Sequence, residues 1–166
     1  MGQLLWSRGI DGFAGWPAVV WDINRDGAGE IVACLNNNNV ACYAAADGSE
    51  IWRFPILWQY CDVRQCNEWL ESNPVAADVD KDRRYEVLVA AQDGDFYVLD
   101  EEGELEWKFQ TTLTTGSLSF TFPVGDIDGD GNLETCFMDD ELVYCIDLFT
   151  REMEWSFKPA HPDHYS

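Results

Sequence analysis

The segment Pro74–Phe109 (PVAADVDKDRRYEVLVAAQDGDFYVLDEEGELEWKF) decides the fold, because it contains every feature of a unit that occurs three times along the chain. It opens with proline and small apolar residues and then runs through an acidic loop. Two short apolar segments follow on either side of Asp93-Gly94, and a last segment carries Trp107. Asp-Gly between alternating apolar runs is a strong β-hairpin signal. The segment therefore predicts four short antiparallel strands.

Two further segments align with this unit. They are Pro17–Phe54 (PAVVWDINRDGAGEIVACLNNNNVACYAAADGSEIWRF) and Pro123–Phe157 (PVGDIDGDGNLETCFMDDELVYCIDLFTREMEWSF). Each has the acidic loop, the hairpin and the closing tryptophan in the same order, and no segment has a useful helical period. Four short strands in a repeat of about 40 to 55 residues are typical of a β-propeller blade. We predict an all-β protein with three four-stranded antiparallel propeller blades, as a partial or open β-propeller, plus an orphan N-terminal strand.

The predicted array is a single β-propeller-like unit over residues 1–166. Residues 2–8 resemble 103–109, the closing strand of a blade, and therefore predict the orphan outer strand. The other parts are blade 1 (17–54), a connection (55–73) with a possible helical turn at 67–70, blade 2 (74–109), a connection (110–122), blade 3 (123–158) and a tail (159–166). Propellers close with four to eight blades, so three are not expected to form an independent ring.

The composition of the 166 residues is acidic and well supplied with apolar residues. There are 31 Asp and Glu against 10 Lys and Arg, which gives a formal net charge of −21, while 46% of residues are hydrophobic. The chain has no basic stretch for a nucleic acid, and an anionic membrane surface would repel it. We find no apolar run of 18 residues and no signal-peptide pattern at Met1. The sequence predicts a soluble acidic domain.

The acidic loops have the ligand pattern of a cation site. Oxygen side chains at positions 1, 3 and 5 wrap a turn around a hard cation, glycine at position 6 allows the reversal, and the carbonyl of position 7 faces inward. The fifth ligand is an acid at position 9. The predicted metal ligands are Asp22, Asn24, Asp26, Ala28 and Glu30, then Asp78, Asp80, Asp82, Arg84 and Glu86, and finally Asp126, Asp128, Asp130, Asn132 and Glu134.

Calcium is the cation that these ligands favour. Oxygen ligands alone argue against zinc and copper, and Mg²⁺ resists dehydration. The flanking strands disfavour a helical calcium module. Asp and Gly also make good turns without any ion, which is the alternative explanation. We expect up to three Ca²⁺, bound most tightly by the third loop and least by the second, where Arg83 replaces glycine.

The chain resembles the FG-GAP/VCBS repeat family, the calcium-loop β-propellers of integrin α-chains and many secreted proteins. The resemblance rests on the Pro-x-x-x-Asp-x-Asp-x-Asp-Gly-x-x-Glu pattern, present from Pro74 to Glu86 and more compactly from Pro123 to Glu134. It implies a propeller with calcium between the first two strands of each blade. Arg83 departs from the pattern, and the strings that name the family are absent.

Six cysteines suit an oxidising extracellular or cell-surface location, where disulfides form. Local pairing predicts disulfides 34–42, 61–66 and 136–145, and the alternative is a set of free thiols buried in β cores. The spacing of Cys61 and Cys66 does not indicate zinc. The only histidines, His161 and His164, lie in the tail, where a solvated terminus is favoured over a metal role.

No motif of a known catalytic class is present, so we predict no catalytic residues and no enzyme. The first hypothesis is an extracellular calcium-binding structural or adhesion module. Its exposed blade edges, including residues 2–8, would drive self-association into a homo-oligomer ring or filament, or pairing with further blades. The alternatives are a fragment of a polysaccharide-active or carbohydrate-binding secreted propeller, and a six-bladed ring of two chains with an axial ligand. Trp58, Tyr60 and Trp69 are the candidate contact surface for a carbohydrate or protein ligand.

Overall fold

The computed structural model of the chain describes residues 4–10, 16–56, 70, 72–91, 94–110, 121–138 and 142–159, and the strands all lie within these ranges. The strands are β1 (Val19–Trp21), β2 (Glu30–Leu35), β3 (Asn39–Ala44), β4 (Glu50–Pro55), β5 (Val75–Ala77), β6 (Glu86–Ala90), β7 (Asp95–Leu99), β8 (Leu105–Gln110), β9 (Val124–Gly125), β10 (Glu134–Met138), β11 (Val143–Asp147) and β12 (Glu152–Phe157). These residues contain no helix, and so none that could span a membrane.

The strands form three separate four-stranded sheets in chain order, β1 to β4, β5 to β8 and β9 to β12. Every neighbouring pair within a sheet is antiparallel. This arrangement confirms the prediction of an all-β protein with three four-stranded blades. Asn67, the candidate contact residues Trp58, Tyr60 and Trp69, and both histidines lie outside the described residues.

A bulge recurs at the same place in each blade, between the third and fourth strands. It falls between Cys42 and Tyr43, between Val98 and Leu99, and between Cys145 and Ile146. Directly before it, the blade's tryptophan lies opposite a residue of the third strand, in the pairs Cys42–Trp52, Val98–Trp107 and Cys145–Trp155. A bulge re-aims side chains at a defined point of a strand. The three units therefore repeat at the level of single residues.

The hydrophobic core lies between blades. One cluster joins Val32, Val40 and Cys42 of blade 1 to Val87 and Leu99 of blade 2. A second cluster joins the opposite face of blade 2 to blade 3, and it contains a chain of aromatic contacts. These are Phe96–Phe137 at 5.2 Å, Phe137–Tyr144 at 5.5 Å and Phe109–Tyr144 at 6.0 Å between ring centroids. Blade 2 buries both faces against its neighbours, whereas blades 1 and 3 each bury one face against blade 2, and this burial is the main source of their stability.

A tryptophan fastens blade 1 to blade 2. Trp52 of β4 packs on Gly103 in the turn before β8, and its indole Nε1 donates to the carbonyl of Glu101 at 2.8 Å. Gly103 has φ +80°, and a Cβ there would overlap the Trp52 ring. Only glycine fits a left-handed backbone this close to a ring. The next junction differs, because Arg151 replaces the glycine at φ +64° and its guanidinium lies over the Trp107 ring.

The segment 4–10 makes the same contact on blade 1 without joining a sheet. Trp6 packs on Gly48, and its Nε1 donates to the carbonyl of Ala45 at 2.9 Å. The predicted strand over 2–8 is therefore not formed in residues 4–8, since the segment lies on a face of the blade and not beside an edge. The likeness to a closing strand holds for the tryptophan contact only.

The described cysteines are free thiols, contrary to the local pairing predicted for them. Strand register explains the failure of 34–42, because Cys34 lies opposite Val40 and Cys42 opposite Val32. Cys136 and Cys145 do lie opposite each other, but they are not bonded. Burial raises the pKa of Cys42 to about 12. The pair 61–66 falls outside the described residues.

Candidate metal centres

Three acidic loops connect the first and second strands of the blades. They run from 22 to 30 between β1 and β2, from 78 to 86 between β5 and β6, and from 126 to 134 between β9 and β10. Each begins directly after the first strand and ends on the first residue of the second strand. The antiparallel pairing of these strands holds both ends of each loop.

Positions 4 and 6 of every loop adopt a left-handed backbone. At position 6 the φ angles are +91° for Gly27, +78° for Arg83 and +91° for Gly131. Position 4 is left-handed as well, with Arg25 at +59°, Lys81 at +69° and Gly129 at +86°. The left-handed backbone at position 6 was predicted from the glycine there, whereas the one at position 4 was not predicted. Because side chains other than glycine are strained there, the third loop has no strained residue, the first has one and the second has two.

The acid at position 9 fixes the start of each loop. Glu30, Glu86 and Glu134 are at most 4% exposed. Their Oε2 atoms accept the backbone N–H of position 2, at 2.8 Å from Ile23, 2.7 Å from Val79 and 2.6 Å from Ile127. A charge-assisted hydrogen bond of this kind orders the backbone around it. One carboxylate oxygen of each glutamate is thereby committed to the protein.

The acids at positions 3 and 5 shape the turn in the same manner. The side chain at position 3 accepts the N–H of position 5 at 3.0 Å in all three loops, from Asn24, Asp80 and Asp128. The acid at position 5 accepts the N–H of position 7 at 2.7 Å. These turns are those that Asp and Asn form in many loops. By themselves they fit both an ion site and a simple turn.

Unsatisfied carboxylate oxygens favour the ion site over the simple turn. Asp22 Oδ1, Asp78 Oδ1 and Glu134 Oε1 are buried without a hydrogen-bond partner, one in each loop. A buried oxygen of a carboxylate that lacks a partner is costly, and native structures contain few such groups. A simple turn leaves these three oxygens unexplained, whereas a divalent cation would bind them.

Carboxylates converge in two of the loops. Asp78, Asp80 and Glu86 each place an oxygen within 4.8 Å of the others, and so do Asp126, Asp128 and Glu134. The carboxylates of the first loop form no such group, because Asn24 takes the place of one acid. A further group, Asp130, Glu134 and Asp147, extends the third loop.

Asp147 is a candidate ligand that sequence reasoning missed, since it lies 13 residues after the loop. It is the last residue of β11, is 5% exposed and faces Glu134 across the hairpin. Asn132 Nδ2 bridges the two sides of the group, 2.9 Å from Asp130 Oδ2 and 3.0 Å from Asp147 Oδ2. The signal that could have revealed it is an acid at the end of the third strand of the same blade.

Burial and neighbouring acids act on the glutamates of the first two loops. Burial raises the pKa of Glu86 to about 7 against the opposing N–H of Val79, and the charges of Asp80 and Glu106 raise it further. Burial also raises the pKa of Glu30, with smaller contributions from Asp26 and Asp22. A cation beside these groups would favour their ionised forms and reverse the direction of both shifts.

Basic side chains surround the second loop. Arg25 of the first loop lies 4.0 Å from Asp78, and its guanidinium lies over the Tyr85 ring at 4.7 Å. Lys81 reaches the third loop, where its Nζ donates to Asn132 Oδ1 at 2.6 Å. Arg84 turns away and pairs with Glu101. Of these charges, Arg25 acts most directly against a cation, because it already lies beside a ligand.

Comparisons with known proteins agree on the fold. A model of the lambda-carrageenase β-propeller domain family matches residues 67–119. BamB from Moraxella catarrhalis superposes with a TM-score of 0.69 at 15% identity, over 93% of this chain and 43% of that chain. The V. cholerae biofilm matrix protein Bap1 superposes with a TM-score of 0.64 at 21% identity, over 94% of this chain and 28% of that chain. The PilY1 C-terminal domain of Pseudomonas aeruginosa superposes with a TM-score of 0.60 at 15% identity, over 81% of this chain and 30% of that chain.

These findings define the class of the protein. The chain consists of β-propeller blades, and it spans less than half the length of the propeller structures to which it is similar. A comparison with curated protein sequences finds no match. The matched region contains all of blade 2 with its acidic loop, so the likeness concerns the blade and the loop together.

Proposed function

We propose that the chain is a non-enzymatic, calcium-binding propeller module that serves as a structural or adhesion unit outside the cell. The observation that carries the proposal is the unsatisfied, buried carboxylate oxygen in each of three equivalent loops. Oxygen ligands at positions 1, 3, 5 and 9 are the set that a hard cation prefers. In this account the ion replaces carboxylate repulsion by attraction and holds the first two strands of each blade together.

Calcium is favoured over magnesium by the shape of the loops. Magnesium demands near-ideal octahedral geometry and keeps its waters, whereas calcium accepts six to eight oxygens in flexible arrangements. In these loops the side-chain oxygens are already tied to backbone N–H groups at 2.6–3.0 Å. A larger and more tolerant ion suits ligands that cannot move freely.

The extracellular location follows from the calcium proposal and is supported by one neighbour. Loops without a twelfth-position bidentate glutamate suit the weak sites of extracellular modules, which work at about 10⁻⁴ to 10⁻³ M calcium. Bap1, described as a biofilm matrix protein, is similar over 94% of this chain. Free thiols in the described part of the chain remove disulfides as support for this location.

Calorimetric titration of the calcium-free full chain tests the function. We expect heat on adding Ca²⁺, a rise in melting temperature, and a much smaller response to Mg²⁺. Asp128→Asn removes a carboxylate of the third loop and should abolish the tightest binding step. Glu104→Gln is the matched control, because Glu104 is an exposed acid directly before β8 of blade 2, outside the loops. A chain that melts identically in calcium and in chelator would overturn the proposal.

The second candidate function is a non-catalytic part of a polysaccharide-active or carbohydrate-binding propeller. It is supported by the match of residues 67–119 to a carrageenase-type propeller domain. The net charge of −21 opposes it for a sulfated polysaccharide, since like charges repel at long range. Calcium bridging between the loops and sulfate groups would be required.

Affinity electrophoresis distinguishes the two candidates. The chain is run through gels containing λ-carrageenan or a neutral polysaccharide, each with calcium and with chelator. The structural function predicts unchanged mobility in both polysaccharides. Calcium-dependent retardation by the sulfated polymer alone would favour the second candidate.

A further inference from the structure

The outward face of blade 3 is equivalent to the faces that join the blades inside the chain. In blade 1 this face contains Val32, Val40, Cys42, Trp52 and Phe54, which pack against blade 2. In blade 2 it contains Leu88, Phe96, Val98, Trp107 and Phe109, which pack against blade 3. Strand register assigns Cys136, Val143, Cys145, Trp155 and Phe157 to the same positions in blade 3. We call this set the blade 3 face.

Exposure sets the blade 3 face apart from its two counterparts. At the positions equivalent to Trp155 and Phe157, the side chains of Trp52, Phe54, Trp107 and Phe109 are half-buried. On blade 3, Trp155 is 43% exposed, Phe157 is 58% exposed and Met138 at the end of β10 is 53% exposed. Cys145, which lies on the same face between β10 and β12, is fully buried. Clustered apolar exposure of this kind marks an interaction surface on a soluble protein.

The two faces of blade 1 show what such a surface binds. On the face toward blade 2, Trp52 packs on the turn that contains Gly103 of blade 2. The other face of blade 1 has an equivalent turn, which contains Gly48. There Gly48 has φ +72°, and the turn carbonyl of Ala45 already accepts an indole N–H. Ile31, Ala33 and Tyr43 surround this turn and border a cavity of about 150 Å³. We call this set the blade 1 face.

The segment that covers the blade 1 face is weakly attached. Beyond the Trp6 contact, Arg8 donates to the carbonyl of Gly48 at 2.8 Å and lies over the Tyr43 ring at 5.8 Å. The segment 4–10 forms no strand, and Leu4 and Leu5 are 77% and 85% exposed. A tryptophan held by few backbone contacts can be displaced by one carried on a rigid sheet, because the sheet loses less conformational freedom on binding.

We propose that the blade 3 face of one copy docks on the blade 1 face of a second copy, with Trp155 replacing Trp6 on the Gly48 turn. This inference rests on the proposed structural function and names its partner. In this contact Trp155 would pack on the Gly48 turn of the second copy in the way that Trp52 packs on the Gly103 turn within the chain. It joins faces, not the strand edges that the sequence predicted.

The junctions inside the chain are the argument for a second copy as the partner. The blade 3 face has the same strand positions as the two faces that join blade 1 to blade 2 and blade 2 to blade 3. Charge is not what selects the partner, because Arg53 of the blade 1 face already pairs with Glu50 at 2.7 Å. The partner is selected by the tryptophan and the turn carbonyl that accepts its indole N–H.

The geometry of the contact determines the form of the assembly. The two faces differ, so the contact is head-to-tail, and its repetition closes a ring or continues as a filament. Two copies would bring six blades together, a number within the range of closed propellers.

Sedimentation equilibrium of the full chain in saturating Ca²⁺ tests the docking. We expect concentration-dependent association that Trp155→Ala weakens by about tenfold or more, since buried tryptophans dominate interfaces. Met153→Ala is the matched control, because Met153 is 48% exposed on the same strand but faces the other way, opposite Ile146. It should change the dissociation constant by less than about twofold.

Loosening the competing segment should have the opposite effect. Trp6→Ala and Arg8→Ala should each tighten association, and the second variant leaves the packed ring in place. Melting curves of every variant confirm that the blades are folded. A wild-type chain that stays monomeric at all concentrations, or a Trp155→Ala variant that associates as tightly as the wild type, would overturn the docking. Calcium titration is independent of both results, so failure of the proposed function is recognised separately.

Discussion

Glu134 and Asp147 lie directly opposite each other in the β10–β11 hairpin, and both side chains are buried. Like charges that face each other across antiparallel strands are destabilising. The amide of Asn132 donates to Asp147 at 3.0 Å, but Glu134 Oε1 has no hydrogen-bond partner. The third loop therefore concentrates more negative charge than its own nine residues supply. That excess is our reason for expecting the tightest cation binding there.

Replacing Asp147 by asparagine should separate stability from cation binding. Without calcium, Asp147→Asn removes the cross-strand repulsion, so the melting temperature in chelator should rise. With calcium, the loss of one carboxylate should weaken the tightest site by about tenfold, which corresponds to about 1.4 kcal/mol. Calorimetry and melting curves measure the two effects, with Glu104→Gln, an exposed acid directly before β8 of blade 2, as the control. A variant that binds calcium as tightly as the wild type would exclude Asp147 as a ligand.

Arg83 strains the second loop, because it adopts φ +78° at a position where the other loops have glycine. Arg83→Gly should therefore raise the free energy of unfolding by about 1 kcal/mol. It should also tighten calcium binding by that loop, since a nearby positive charge is removed. Arg83→Ala removes the charge and keeps the strain. If the alanine variant gains as much stability as the glycine variant, charge and not backbone strain weakens this loop.

Much of the fold and part of the candidate site follow from the sequence. The repeated loop, hairpin and tryptophan predicted three four-stranded blades, because strand periodicity and turn residues are local signals. Asp147 was missed because its proximity to Glu134 depends on strand register. The pair 34–42 failed for the same reason, since local pairing across a hairpin turn does not fix the register, and Cys34 lies opposite Val40, two residues before Cys42.

The N-terminal segment shows a second limit of local reasoning. Its likeness to a closing strand correctly indicated the tryptophan contact with Gly48. The likeness could not indicate whether a partner strand is available, because β-pairing needs an unpaired edge as well as a suitable sequence. Left-handed residues at position 4 were missed because Arg25 and Lys81 are not residues that favour this conformation.

The contact between Trp52 and Gly103 should tolerate no added side chain. Gly103→Ala places a methyl group against the Trp52 ring on a left-handed backbone, so strain and overlap add to a loss of about 2 to 4 kcal/mol. Gly129→Ala is the matched control, because Gly129 has φ +86° and nothing within 4 Å of the added methyl group. It should lose only the backbone contribution, about 1 kcal/mol. Urea unfolding in chelator measures both without a contribution from calcium binding, and equal losses would show that the ring contact contributes nothing.

The pKa of Glu86 predicts how stability without calcium depends on pH. Burial raises this pKa from 4.5 in the unfolded chain to about 7 in the folded one, so the folded state holds the proton more tightly. The associated stability is fully present below pH 4.5 and is lost as the pH rises toward 7. Glu86→Gln cannot ionise and keeps an oxygen for the N–H of Val79, so in chelator it should flatten this decline. Calcium favours the ionised form of Glu86, because the ionised carboxylate is the ligand. Calcium binding should therefore release protons near pH 6. Calorimetry in two buffers of different ionisation enthalpy measures that release. A Glu86→Gln variant with the same decline in chelator and the same proton release would assign both effects to other carboxyls.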